Sequence, residues 1–229
     1  MLPLKDENPV RSTPVVTFLL IAANVLAFLY ELQLGFDSVG LERFMDRYAF
    51  DYGAFASGLS YGGPSLAVVT PLFTHMFLHA GWLHLGGNML YLWVFGNNVE
   101  DTLGALRFLV FYLACGIAAA LGQGLLAPAP MVGASGAVAG VLGAYLILFP
   151  SARVSTLVFL GLFITVVQIP ALVVIGFWIV IQILQSLTEL RITQHEAGGV
   201  AYFAHVAGFA AGVVLLRVLR GARPRHRAW

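Results

Sequence analysis

Long apolar runs, broken by short polar or proline-bearing stretches, dominate this chain. A helix needs roughly 20 apolar residues to cross hydrocarbon. The runs predict six such helices, at residues 14–34, 83–99, 106–126, 135–149, 170–187 and 202–219. Pro128 and Pro130 end the third, and Pro150 ends the fourth. The stretch 155–187 is apolar almost throughout and too long for one span. Pro170 divides it, and a proline suits a helix start, where its missing N–H is no loss. Residues 155–169 then read as an embedded or interfacial connector. Between the first two spans, residues 35–70 mix Asp37, Glu42, Arg43, Asp46 and Arg47 with Phe36, Phe44, Tyr48, Phe50 and Tyr52. Charges interleaved with aromatics suit the membrane–water interface. A connection of that length is expected to hold helix of its own and to serve a function.

Composition fits the same picture. Hydrophobic residues make up 59% of the 229 and charged residues 10%, and the mean hydropathy is +0.87. A soluble domain carries about 25% charged residues, so this surface must face lipid. The net charge of +1 points to no nucleic-acid partner. The one cysteine, Cys115, cannot form an intrachain disulfide and reads as a small core residue. Asp6 and Glu7 spoil the basic start of a signal peptide, and the first apolar run is too long for one. It reads as a retained anchor. The expected organisation is a short N-terminal segment, residues 1–13, an all-α six-helix membrane domain, residues 14–220, and a basic tail, residues 221–229.

Charge also orients the chain. With six spans, Lys5, Arg11, Arg107, Arg153, Arg217, Arg220 and the tail arginines share one side, and only Arg43, Arg47 and Arg191 face the other. Basic residues favour the cytoplasmic side. Both termini are therefore expected in the cytoplasm, with the long aromatic loop and the loop at Gly133 outside. A seventh span at the connector would send the basic tail outward, against this rule. No internal repeat is visible, so the inverted-repeat plan of many transporters has no support.

Polar residues at membrane depth are functional candidates, because each is costly to place there. Ser135, between Ala134 and Gly136, opens the fourth span. The first N–H groups of a helix lack intrahelical partners, and the helix dipole favours negative charge beside them. An acyl-transfer oxyanion could be held there. Gly133 and Gly136 would let a substrate backbone approach. On this motif alone, an N-cap or a small packing residue is the stronger reading. His205 lies near the outward end of the sixth span and is followed by Gly208 and Gly212, a spacing that permits close helix approach. By itself it could simply bond a backbone carbonyl. Ser135 and His205 fall at similar depths, and a close approach of the fourth and sixth helices would bring them into contact. His84 and Asn88 share one face of the second span, again at that depth, and offer an imidazole and an amide donor. His75, His79 and His84 could bind zinc, but no carboxylate or thiolate in the sequence clearly joins them. Hydrogen bonding is the favoured role for His75 and His79, and no metal or other cofactor is expected. No acidic residue lies at membrane depth near His205, so a dyad is expected in place of a triad.

Four segments in order carry a family resemblance: His75-Met-Phe-Leu-His79, His84-Leu-Gly-Gly-Asn88, Gly133-Ala-Ser135-Gly136 and Ala204-His205-Val-Ala-Gly208-Phe-Ala-Ala-Gly212. Together they resemble the rhomboid family of intramembrane serine proteases, over nearly the whole chain. The resemblance implies a six-helix core, Ser135 as nucleophile and His205 as general base. It implies an oxyanion hole from His84, Asn88 and the Ser135 backbone N–H. Gly133 and Gly136 would flank the serine, and Gly208 would let the sixth helix pack on the fourth. A gating fifth helix would implicate Phe177 and Trp178. The chain departs from some relatives at Ala139, where a tyrosine packs on the catalytic histidine, and it lacks a Trp-Arg pair in the first long loop. The expected function is a serine endopeptidase of a bacterial inner membrane, opening outward, whose partners are transmembrane protein substrates and the lipid bilayer. The competing class is a rhomboid-like protein that binds or escorts transmembrane helices without cleaving them, and a metal-dependent enzyme using His75 and His79 is a third.

Overall fold

The computed structural model describes residues 1–35, 38–160, 163–189 and 200–220. In chain order the elements are β1 (Leu2–Asp6), α1 (Val15–Leu34), α2 (Val39–Tyr48), α3 (Tyr52–Gly62), α4 (Leu66–Val69), α5 (Pro71–Thr74), α6 (Trp82–Leu103), α7 (Ala105–Leu126), α8 (Ser135–Leu148), β2 (Arg153–Leu160), β3 (Phe163–Pro170), α9 (Ala171–Glu189) and α10 (Tyr202–Leu219). Helices α1, α7, α9 and α10 are long and apolar enough to cross a membrane, and α6 joins them when taken with residues 66–77, bent from it by 81°. Helix α8 is apolar but only 14 residues long. Leu19, Leu26, Leu83, Leu106 and Val218 all point out of the bundle. In water such a surface would aggregate; in lipid it is the solvent-facing side.

Helix α6 outruns the sequence expectation at its C-terminal end because its acidic residues find partners. Glu100 accepts from the backbone N–H groups of Val16 and Thr17 at 2.9 and 2.7 Å and from the Thr17 hydroxyl at 2.7 Å. A carboxylate on orphan N–H groups at a helix start is favourable, and α1 has no side-chain cap of its own. The helix stops at Gly104, whose φ of 81° suits glycine.

The connector expected at residues 155–169 is a β-hairpin instead. Strands β2 and β3 pair antiparallel, Arg153 opposite Pro170, and β1 joins on the other edge of β2 to give the order β1-β2-β3. The run is rich in Val, Ile, Thr and Phe, which fit a pleated surface better than a helix. An extended hairpin also removes any seventh helix at this position. The sheet adds to the helical plan and ties the N-terminal residues to the bundle: Asp6 is buried and accepts from the Tyr145 hydroxyl of α8 at 2.7 Å.

The loop that carries the aromatic residues forms α2 and α3, begun by Ser38 and Asp51, whose side chains accept from Leu41 N–H at 3.0 Å and Ala54 N–H at 2.7 Å. Its Phe50 pairs with Met131 in both directions, at 3.0 and 2.9 Å. This contact anchors the chain just before Gly133.

The centre of the bundle is the contact of α8 with α10, on which α7 also packs. A methyl group on Gly208 would overlap the backbone carbonyl of Gly136, and one on Gly212 would overlap that of Gly140. The two backbones therefore touch, as small residues permit in a membrane. The substitution Gly208→Ala is expected to cost about 1–3 kcal/mol, the usual range for overpacking. Gly176→Ala on α9 meets nothing within 4 Å and should be neutral or stabilising by up to about 1 kcal/mol through helix propensity. Unfolding of both variants in detergent distinguishes them. At the sheet, burial raises the Asp6 carboxyl above its ordinary range. The protonated form is then favoured by folding, so docking of β1 is firmest at low pH and weakens as pH rises through that raised value. Hydrogen-exchange protection of β1 should fall with rising pH in the native chain and stay flat in Asp6→Asn.

Candidate active site

Ser135 is the first residue of α8, and Ala134 holds the cap position with no side-chain hydrogen bond. Ser135 is therefore not an N-cap. Its hydroxyl turns instead to α10, where His205 Nε2 lies 2.8 Å from Ser135 Oγ. They stand 70 positions apart in the chain, and the contact of Gly208 with the Gly136 carbonyl closes that separation. His205 is buried and Ser135 half-buried.

The loop before Ser135 is held on both sides. Gly133 N–H donates to the His75 carbonyl at 2.8 Å. Gly133 has φ 123°, a conformation that side-chain-bearing residues rarely adopt. A Cβ there would stand 2.7 Å from His84 Cε1 and Nε2 and 3.8 Å from Ser135 Oγ. The edge of the His84 ring therefore covers Gly133 beside the serine. His84 Nδ1 accepts from Ala80 N–H at 3.4 Å, which leaves the proton of the neutral ring on Nε2, towards the site. Asn88, one turn along the same face of α6, is buried, and its amide nitrogen has no hydrogen-bond partner among the described residues. At the start of α8, Val138 is the N–H that bonds back to Ala134, at 2.9 Å, so the N–H groups before it lie outside the intrahelical ladder. Those donors and the His84 ring lie beside one hydroxyl that already faces a base.

The two other histidines are differently employed. His75 Nδ1 donates to the Pro71 carbonyl at 3.0 Å. The His79 ring meets His84 edge-on at 5.0 Å, with no partner for either ring nitrogen among the described residues, and its backbone N–H donates to the Glu31 carboxylate at 3.3 Å. Glu31, fully buried at the end of α1, is a carboxylate near the histidines that no pattern in the chain foretold. Among the described residues no three His, Cys, Asp or Glu side chains converge as a metal site would need.

Gln182, Tyr202 and Gln123 escaped sequence reasoning, and Trp178, expected only on a gating helix, stands against the catalytic histidine candidate. Gln182 of α9 is buried, and its Oε1 lies 2.7 Å from His205 Nδ1. Trp178, one turn earlier on the same helix, lies against the His205 ring at 5.8 Å between centroids, and Tyr202 meets it edge-on at 6.3 Å. These side chains hold the ring where Ala139, fully buried on α8, offers only a methyl. Phe177 by contrast is largely exposed. Gln123 of α7 accepts from the Ala204 N–H at 3.1 Å and donates to the Ala127 carbonyl at 2.8 Å and to Glu189 at 2.7 Å. It caps the start of α10, which has no side-chain cap of its own, directly beside His205. The signal available for both glutamines was their polarity inside apolar helices.

Residues 67–222 match the Rhomboid domain family. Rhomboid protease GluP of Bacillus subtilis is 37% identical over 133 residues, covering 58% of this chain and 24% of that protein. Rhomboid protein 1, mitochondrial, of Saccharomyces cerevisiae is 41% identical over 90 residues, covering 36% of this chain and 26% of its own length. Presenilin-associated rhomboid-like protein, mitochondrial, of Homo sapiens is 31% identical over 150 residues, or 63% of this chain and 35% of that protein. The chain thus spans only about a quarter to a third of the length of these relatives. The family match takes in the helices that carry Ser135, His205, His84 and Asn88, and with the apolar helices around them it identifies the chain as an integral membrane protein of the rhomboid family.

Proposed function

We propose that this protein is an intramembrane serine endopeptidase that cleaves peptide bonds in or near transmembrane segments of other membrane proteins. The observation that carries the reading is the 2.8 Å approach of His205 Nε2 to Ser135 Oγ. A serine hydroxyl is a poor nucleophile until a base within hydrogen-bond reach takes its proton. Ser135 Oγ attacks the scissile carbonyl while His205 Nε2 removes the hydroxyl proton. The carbonyl oxygen becomes an oxyanion, and the unpaired Asn88 amide, the His84 Nε2–H and the Ser135 backbone N–H are the donors that would meet it. His205 then gives its proton to the leaving amine, and the ester on Ser135 remains. Water activated by His205 releases it. Gly133, Gly136, Gly208 and Gly212 serve this chemistry by geometry, the first two at the serine and the last two in the helix contact.

A substrate helix must unwind before its carbonyl can reach Ser135, because an intact helix uses its carbonyls internally. The distribution of Lys and Arg supports cytoplasmic termini and a site that opens to the outer face. The name of the Bacillus subtilis relative, a rhomboid protease, supports the activity, and its bacterial source supports a bacterial cell membrane, whereas other relatives are mitochondrial. Residues 14–220 would form the membrane domain, between a short cytoplasmic start and the basic tail 221–229, which lies outside the described residues.

The test is cleavage of a model transmembrane substrate in detergent by the native chain, Ser135→Ala and His205→Ala. Each substitution should lower kcat by at least about 10³-fold, as losses at Ser–His sites do, and a chelator should leave cleavage intact. Undiminished cleavage by Ser135→Ala would end the serine mechanism, and loss of activity on chelation would point to a metal enzyme.

A further inference from the structure

A neutral imidazole carries one proton, and which nitrogen holds it decides what the ring can do. To act as a base towards Ser135, His205 must keep its Nε2 lone pair free. The other nitrogen, Nδ1, lies 2.7 Å from Gln182 Oε1. An amide oxygen only accepts, so Nδ1 must donate and Nε2 must accept. We propose that Gln182 is the positioning residue of this site: by accepting from Nδ1 it fixes the His205 tautomer in which Nε2 can take the serine proton. The proposal rests on the reading of Ser135 and His205 as nucleophile and base.

Three observations support it beyond the distance. Gln182 and Trp178 are four residues apart on α9, one helical turn, and both reach the His205 ring. The tryptophan fixes the plane of the ring, and the glutamine fixes its rotation and its proton. Among the described residues no carboxylate makes a hydrogen bond or ion pair with His205, so the amide is the group that assigns the tautomer. A neutral amide also fits the place. A carboxylate buried at this depth would carry a large desolvation penalty whenever the imidazole was neutral, whereas an amide satisfies the same Nδ1–H without adding a charge. Through the cycle the Ser135 proton passes to Nε2 and on to the leaving amine. Nδ1–H stays on the ring and stays bonded to Gln182, so the glutamine itself never gains or loses a proton. It acts through His205 and does not touch the reacting atoms.

The test uses the full chain in detergent, with a model transmembrane substrate. Gln182→Met nearly conserves volume and removes the strong acceptor. It is expected to lower kcat about tenfold, the scale of one lost hydrogen bond that only the reacting state needs, with KM within about twofold. Gln182→Glu restores an acceptor oxygen at the same reach and should raise kcat above that of Gln182→Met yet short of the native value, because the carboxylate adds the buried charge that the amide avoids. Nitrogen-15 NMR of labelled histidine reads the tautomer without turnover: the native chain should carry the His205 proton on Nδ1, and Gln182→Met should lose that preference. A native ring protonated on Nε2, or a Gln182→Met variant with unchanged kcat, would overturn the proposal. If the NMR result holds while the native chain cleaves no substrate, the tautomer assignment stands and the protease reading fails.

Discussion

Two helix backbones in contact govern this structure. Gly208 and Gly212 of α10 lie so close to the carbonyls of Gly136 and Gly140 of α8 that neither could carry a Cβ. Lipid tails are as apolar as leucine, so little hydrophobic drive holds membrane helices together, and van der Waals contact between close backbones takes its place. The contact sets the register of the two helices as well as their distance. Ser135 stands one residue before Gly136, and His205 three residues before Gly208. Locking the glycines therefore places the hydroxyl against the imidazole. Helix α7 completes the packing, with Gly122 against Ala207 of α10 and Cys115 against Gly140 of α8.

A second regularity follows from the cost of bare backbone in an apolar medium. Helices α1 and α10 start without caps of their own, and each is served by a side chain from another helix, Glu100 of α6 for the first and Gln123 of α7 for the second. Helix α8 also starts without a cap, and no such side chain reaches across to it among the described residues. Its first N–H groups are left beside the Ser135 hydroxyl. Helices α6 and α7 start equally bare; what sets α8 apart is the serine at its first position, facing His205.

Much of this was legible in the sequence, for identifiable reasons. The apolar runs foretold the long helices because a lipid-facing helix must be apolar on nearly every side. The glycines after Ser135 and His205 foretold the approach of α8 and α10. The hairpin was not foretold, because a continuous apolar run carries no period to separate strand from helix. The β-branched content of residues 153–170 was the one available hint. Gln182 was missed for a different reason. Soluble serine enzymes suggest an acid as the third partner of His205, while the buried site holds an amide. Glu100 and Gln123 cap helix starts more than 80 residues away, and no local pattern encodes such a pairing.

The central claim is that Ser135 is a nucleophile activated by His205. Its most direct measurement is mass spectrometry of the protein after reaction with a fluorophosphonate in detergent. The account predicts one adduct, on the peptide that contains Ser135, which disappears in His205→Ala while the fold persists. A folded native protein that takes no adduct at Ser135, or a His205→Ala variant labelled there as fast as the native chain, would contradict it.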